Sequence, residues 1–281
     1  MKKKSPKNAE NGGSGTAVPL RVPAFPLILN IPHSSTHIPD DLRGRFRFVP
    51  ARLAEELRVM TNFYTDELFR LDGAASVVAK VSRLVVDCER FRDDADEEMA
   101  SSGMGAVYTR ASDGSELIVP DATYRESVLR RFYDPFHAEL SAATGTALAR
   151  FGTALIVDCH SFASRPLPHE RDRRMPRPDI CVGADPFHTP QVLARFAQQF
   201  FRKKGYTVAV NSPFAGAIVP MRFFCRDARV HSLMIEVNRE LYMEEYSCAK
   251  NAGFDRLQEH LSEFLACLAA VAVAVAVPAA A

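Results

Sequence analysis

The chain has 281 residues, 47% hydrophobic and 25% charged, the mixture of an ordinary globular protein. This excludes a disordered, collagenous or disulfide-stapled chain and leaves ample apolar material for a core. Thirty-five lysines and arginines face 34 acids for a formal net charge of +1. Lys2, Lys3, Lys4 and Lys7 against Glu10 put +3 on the first twenty residues, leaving −2 on the remainder. That is no electrostatic footprint for nucleic acid.

In chain order, residues 1–20 carry a basic stretch with no apolar run behind it, which reads as a flexible tail rather than a secretory signal. Strands are expected at Pro26–Ile31, Ser76–Val81, Leu84–Asp87, Ala154–Asp158, Asp179–Val182, Thr207–Val210 and Leu233–Val237, all nearly continuously apolar. Helices are expected at 52–71, at 123–150 with a kink at Pro135, at 190–204 and at 253–268. In the first, Leu53, Leu57, Met60, Tyr64, Leu68 and Leu71 make a helical stripe. The second opens on Thr123 and Glu126 in capping-box spacing.

Strands alternating with helices predict an α/β fold, a sheet covered by helices. One catalytic domain over 21–270 is expected, ending in an Ala/Val-rich tail over 271–281. The uncharged run Phe264–Ala281 is short and alanine-rich for a membrane span, so no membrane partner is expected. Six cysteines without a CxxC pair read as free thiols of a cytoplasmic protein. Two long stretches, 91–122 with its acidic cluster and 161–178 with five arginines, read as loops, either lids or solvated surface.

Polar residues interrupt the strands at one kind of place. Asn30-Ile31-Pro32 runs into His33-Ser34, Leu84-Val85-Val86 ends in Asp87, Ile156-Val157 ends in Asp158-Cys159-His160-Ser161, and Met234-Ile235 meets Glu236. In open α/β sheets ligands bind beyond the carboxyl ends of the strands. Two histidines with several carboxylates and no thiol pair favour a catalytic zinc with an open position. Cys159 and His160 are adjacent strand residues on opposite faces, which disfavours a thiol nucleophile.

Asn30-Ile31-Pro32-His33-Ser34, Thr65-Asp66, Ser82 to Asp87, Asp158-Cys159-His160-Ser161 and Ile235 to Arg239 together resemble the N-formylglutamate amidohydrolases over about residues 26–265. The resemblance implies a zinc carboxypeptidase/phosphorylase-hydrolase-like fold with a mixed, largely parallel sheet. It implies zinc, or another divalent metal, held by His33, His160 and Asp66, with Asp158 the fallback third ligand or, like Asp87, a group that orients an imidazole. It further implies Glu236 as general base, Arg239 or Ser161 as oxyanion donor, and Arg83, Arg90 and Asn211 as substrate contacts. The implied partner is a small acidic N-acyl amino acid, most simply N-formyl-L-glutamate, met in histidine degradation. Ser35 stands where the family commonly has glycine, and Cys88-Glu89-Arg90 where it commonly has Asn-Arg, so the acyl-amino-acid specificity stays open. A zinc amidase or carboxypeptidase on peptide or cell-wall amides, and a non-catalytic binding protein, are the alternatives.

Overall fold

The computed structural model describes residues 24–119 and 121–276. The first twenty residues, expected as a tail, lie outside them, as does the end of the Ala/Val-rich tail beyond residue 276. In chain order the elements are β1 (Leu27–Ile31), α1 (Asp40–Arg43), α2 (Pro50–Met60), α3 (Thr65–Leu68), β2 (Ala75–Val78), α4 (Ala122–Val128), α5 (Asp134–Phe151), β3 (Ala154–Phe162), β4 (Ile180–Gly183), α6 (Gln191–Lys203), β5 (Val208–Val210), β6 (Val230–Asn238) and α7 (Phe254–Ala276).

The six strands form one sheet in the order β2-β1-β3-β6-β4-β5. Every neighbouring pair is parallel except β4 with β6, so the sheet is mixed and largely parallel. Strand alternation divides its side chains between two apolar cores. Leu27, Leu29, Leu155, Val157, Cys159, Leu233 and Ile235 face one core, completed by α6 and α7. Ile28, Ala154, Ile156 and Val230 face the other, completed by α2, α4, α5 and the loop residues Met104 to Ile118.

Three sequence expectations change. The run Leu84-Val85-Val86 is buried but is a turn, closed by the bond from Val85 N–H to the Ser82 carbonyl and by Ser82 Oγ accepting from Leu84 N–H. A short apolar run does not by period alone separate strand from buried turn. The helix expected over 52–71 stops at Met60, and Tyr64, in the left-handed region at φ 63°, turns the chain into the separate α3. The stripe continues across the break because Leu68 and Tyr64 still pack inward, now against the α7 side.

The long helix over 122–151 is broken by a wide π turn at Leu129–Tyr133, directly before Pro135. Proline lacks an N–H for the preceding turn, so the ladder opens there. Its cap is Asp121, whose carboxylate accepts from Tyr124 N–H, rather than Thr123. No helix of the described residues is long and apolar enough to cross a membrane.

Candidate active site

On the α2/α5 face the apolar pattern stops before the strands do. Asn30 on β1, Asp158 and His160 on β3, and Glu236 on β6 occupy the alternate positions that bury Ile28, Ala154, Ile156 and Val230 farther down. Register sets His160 beside Glu236. Asp158, His160 and Glu236, with His33 just past the end of β1, line a cavity of about 1150 Å3, and Asn30 is buried behind them.

The two histidines meet through matching atoms: His33 Nδ1 lies 3.3 Å from His160 Nδ1. Each ring is held from behind by a carboxylate. His33 Nε2 donates to Asp87 Oδ1 at 2.7 Å, and His160 Nε2 donates to Asp158 Oδ1 at 2.8 Å. Carboxylates at the outer nitrogens fix both ring orientations and turn the Nδ1 atoms toward each other.

Asp87 anchors a wider network. Arg83 Nη2 donates to its Oδ2 at 2.7 Å, the Tyr108 hydroxyl donates to the same oxygen, and Arg83 Nε donates to Tyr108 Oη. Asp158 receives Asn30 Nδ2 and the Ile218 N–H. Asn30 Nδ2 also reaches Glu89 Oε1 at 2.8 Å. Glu89, Asp158 and His160 present ligand atoms within 4.8 Å of one another, a metal-compatible group among the described residues.

Of the substrate contacts expected from sequence, Arg83, Arg90, Ser161 and Arg239 line the cavity. Arg83 has its Nε and Nη2 committed to Tyr108 and Asp87, whereas the buried Nε of Arg90 makes no hydrogen bond among the described residues and lies 3.7 Å from Asp87 Oδ2. Arg239 Nη1 donates to the Val59 carbonyl, and its Nε lies 3.4 Å from Ser161 Oγ. Glu236 Oε2 is buried without a partner among the described residues.

Two expected residues lie elsewhere. Asp66 is exposed on α3 and does not line the cavity, because the break after Met60 gives this short helix its own orientation. Asn211, at φ 52°, turns its Oδ1 to the Ala184 N–H and lines a separate groove beside α6.

The sequence model of the family described as N-formylglutamate amidohydrolase matches residues 25–243. The chain belongs to this family. It is 28% identical over 234 residues to an N-formylglutamate deformylase of Pseudomonas aeruginosa, covering 78% of this chain and 83% of that one. A second N-formylglutamate deformylase, from Pseudomonas putida, is 26% identical over 230 residues, or 79% and 83% of the two chains. The crystal structure of an N-formylglutamate amidohydrolase from Ralstonia eutropha superposes with a TM-score of 0.77 at 27% identity, covering 90% of this chain and 96% of that one. Membership makes the chain an amidohydrolase-family enzyme with an amidohydrolase fold.

The electrostatics of the family site separate its two imidazoles. Burial, assisted by the Arg83 charge, depresses His33 to about 3. Burial works the same way on His160, but Asp158, Glu89 and Glu236 outweigh it and lift that ring to about 10. Burial opposes ionisation of Asp87, yet Arg83, His33 and Arg90 hold it well below the usual carboxylate range. Glu89 goes the other way, to about 8, through burial and then the neighbouring Asp158. Glu236 is raised, chiefly by burial. Cys159, on the opposite strand face, has a thiol raised well above its ordinary range by burial and packs in the α6/α7 core, out of reach as a nucleophile.

Sequence reasoning missed Asn62, Glu89 and Tyr108 as members of the site. Glu89 had one signal, its departure from the family's usual Asn-Arg. Tyr108 sits in the long loop 91–122, where an aromatic residue among glycines and serines was the only mark. That loop touches the other long one at the rim, where Arg171 pairs with Glu98 and His169 Nδ1 approaches the Ser112 carbonyl.

Proposed function

We propose that this chain hydrolyses the amide bond of an N-acyl amino acid, N-formyl-L-glutamate first, to formate and L-glutamate, with a divalent metal at the histidine pair. The observation that carries this is the 3.3 Å approach of His33 Nδ1 to His160 Nδ1 with a carboxylate behind each ring. Two nitrogens about 2.0–2.1 Å from one tetrahedral zinc stand about 3.4 Å apart, so the pair fits one ion. Zinc is one of the metals that imidazole donors suit, and the donor set also admits other divalent ions. When bound, such an ion supplies a Lewis acid for the amide carbonyl and brings a water pKa toward neutrality.

The chain's own groups do the rest. Glu236, buried beside His160 with Oε2 unengaged, takes the proton of the attacking water and returns it to the departing amine. Arg239, held by Val59 and Ser161, donates to the oxygen that gains charge. Arg90, which lines the cavity and whose Nε makes no hydrogen bond among the described residues, receives a substrate carboxylate in the planar two-donor manner of guanidinium. Arg83 acts from behind, fixing Asp87 and through it His33.

The test is formate release from N-formyl-L-glutamate by the metal-loaded chain. Turnover that disappears on chelation and returns with zinc supports the reading; a loaded chain that releases no formate, or a stripped chain with full activity, defeats it. One observation favours a second reading. The cavity exceeds the roughly 300–1,000 Å3 that holds drug-sized ligands, and residues 213–221 give it a mostly apolar wall. Larger acyl amino acids or short peptide amides fit such a space, and a substrate panel measured by kcat/KM separates the two.

A further inference from the structure

Resting on the metal reading above, we infer that Asn62 supplies the third ligand, through its side-chain carbonyl oxygen, making a His-His-Asn site. Asn62 Oδ1 lies 3.2 Å from His160 Nδ1, which itself lies 3.3 Å from His33 Nδ1. Both spacings are near the edge of a tetrahedron of ligands about 2.0–2.2 Å from a zinc ion. Asn62, His33 and His160 all line the cavity, so the fourth position opens toward substrate.

The identity of the facing atom is fixed by its neighbours. The Ser161 N–H points at the same Asn62 atom from 3.3 Å, and only an oxygen accepts it, so the carbonyl and not the amide nitrogen is turned inward. His33, with its proton on Nε2 toward Asp87, likewise presents a lone pair at Nδ1. Two lone pairs thus converge beside His160 Nδ1. One N–H on that nitrogen answers them as a shared hydrogen bond; a divalent ion answers all three atoms.

The backbone builds Asn62 into place. Its N–H donates to the His33 carbonyl at 2.9 Å, and its own carbonyl accepts from Thr65 Oγ1 at 3.0 Å. The residue is 3% exposed. The end of α2 at Met60 is what delivers it: a helix continued to residue 71 would hold these backbone groups in its own ladder instead of tying them to His33.

Three carboxylates compete for the role and serve less well, Asp158 because it already accepts from His160 Nε2, the nitrogen turned away from His33. Asp66 is exposed away from the cavity. Glu89 approaches His160 only at Nε2, from 3.9 Å, the nitrogen already donated to Asp158. A neutral amide in place of a carboxylate leaves the ion its full charge and binds it less tightly.

The test strips the full-length chain with a chelator and titrates Zn2+ and Co2+ against a chromophoric competitor, recording the Co2+ absorption bands. Asn62→Asp keeps the shape and the acceptor for Ser161 N–H while adding charge; it should bind at least about tenfold more tightly, and Asn62→Ala at least about tenfold more weakly, both with altered Co2+ bands. Glu89→Gln should keep the affinity within about threefold and the bands unchanged. Unchanged affinity and bands in both Asn62 variants, or loss of metal in Glu89→Gln, overturns the assignment while leaving the metal reading intact. A wild-type chain that binds neither ion removes the metal reading and this inference together.

Discussion

The two faces of β3 are built from one nine-residue strand and do opposite work. Leu155, Val157 and Cys159 enter an unbroken apolar core under α6 and α7. Ala154 and Ile156 begin the same way on the other face, but Asp158 and His160 follow, and the helical cover gives way to a cavity. Burying ionisable groups costs several kcal/mol unless they are paired. The second face meets that cost with a dense network, Asn30 to Asp158 to His160 and Tyr108 with Arg83 to Asp87 to His33. One face is thus stable by packing alone; the other holds its buried polar groups by giving nearly every one a hydrogen bond, with Asn30 Oδ1, Arg90 Nε and Glu236 Oε2 left without one among the described residues.

The sharpest break in this contrast is expected from Glu236→Gln, which keeps volume and burial. It should lower kcat for formate release by about 10²–10⁴-fold with metal content unchanged, as loss of a general base does. Metal loss in that variant would move Glu236 from proton transfer to ligation. His160→Ala should lose the metal and also leave Asp158 buried without its cation, destabilising the fold by about 3–5 kcal/mol in denaturant melts of the metal-free chain.

The opposite face predicts the reverse signature. Phe264 is fully buried among Phe196, Phe200 and Phe201. Phe264→Ala should cost about 3–5 kcal/mol of stability by opening a cavity, with kcat unchanged below the lowered Tm. A fall in kcat there would mean the two faces communicate.

Tyr108→Phe should act in between. It removes one donor from Asp87 and no apolar volume, costing about 1–3 kcal/mol, read as weaker metal retention rather than as unfolding. The smallest effect expected is from a histidine at the cavity wall. His137, whose Nε2 donates to the Cys88 carbonyl, is depressed by burial to about 4. The unfolded chain takes up that proton near pH 6.5 and the folded one only near 4, so stability is lost as pH falls through this window, by at most about 3 kcal/mol. His137→Gln should flatten the acid limb of the stability profile; an unchanged limb would assign it to other groups.

The strand-end groups were legible because alternation is a local rule. Asp158 and His160 two apart, and Glu236 at the end of its own strand, need only the period of two to fall on one face. Arg83 and Asp87 were legible as residues though their strand is a turn. Asn62 was not, since the apolar stripe from Leu53 to Leu71 runs straight across the helix break, and the bond that decides the path goes to a carbonyl 29 residues earlier. Glu89 and Tyr108 come from loop backbone whose course is set by tertiary contacts, such as Ser112 N–H and Oγ docking on the buried carboxylate of Glu56. Asp66 carries the converse lesson: a family-like carboxylate at the right sequence distance still needs the helix that would aim it.

The ion pair between Arg171 and Glu98, which joins the two long loops at the rim, has consequences in time. Both side chains are largely exposed, 65% and 75%. Such a pair is worth at most about 1 kcal/mol, less in salt. It parts and re-forms on the timescale of loop motion, nanoseconds to microseconds, against the milliseconds of ordinary turnover. A passage governed by this contact alone would therefore open many times within each catalytic cycle, and on the proposed reading turnover would be limited by the chemistry at the histidines and Glu236 rather than by the entrance.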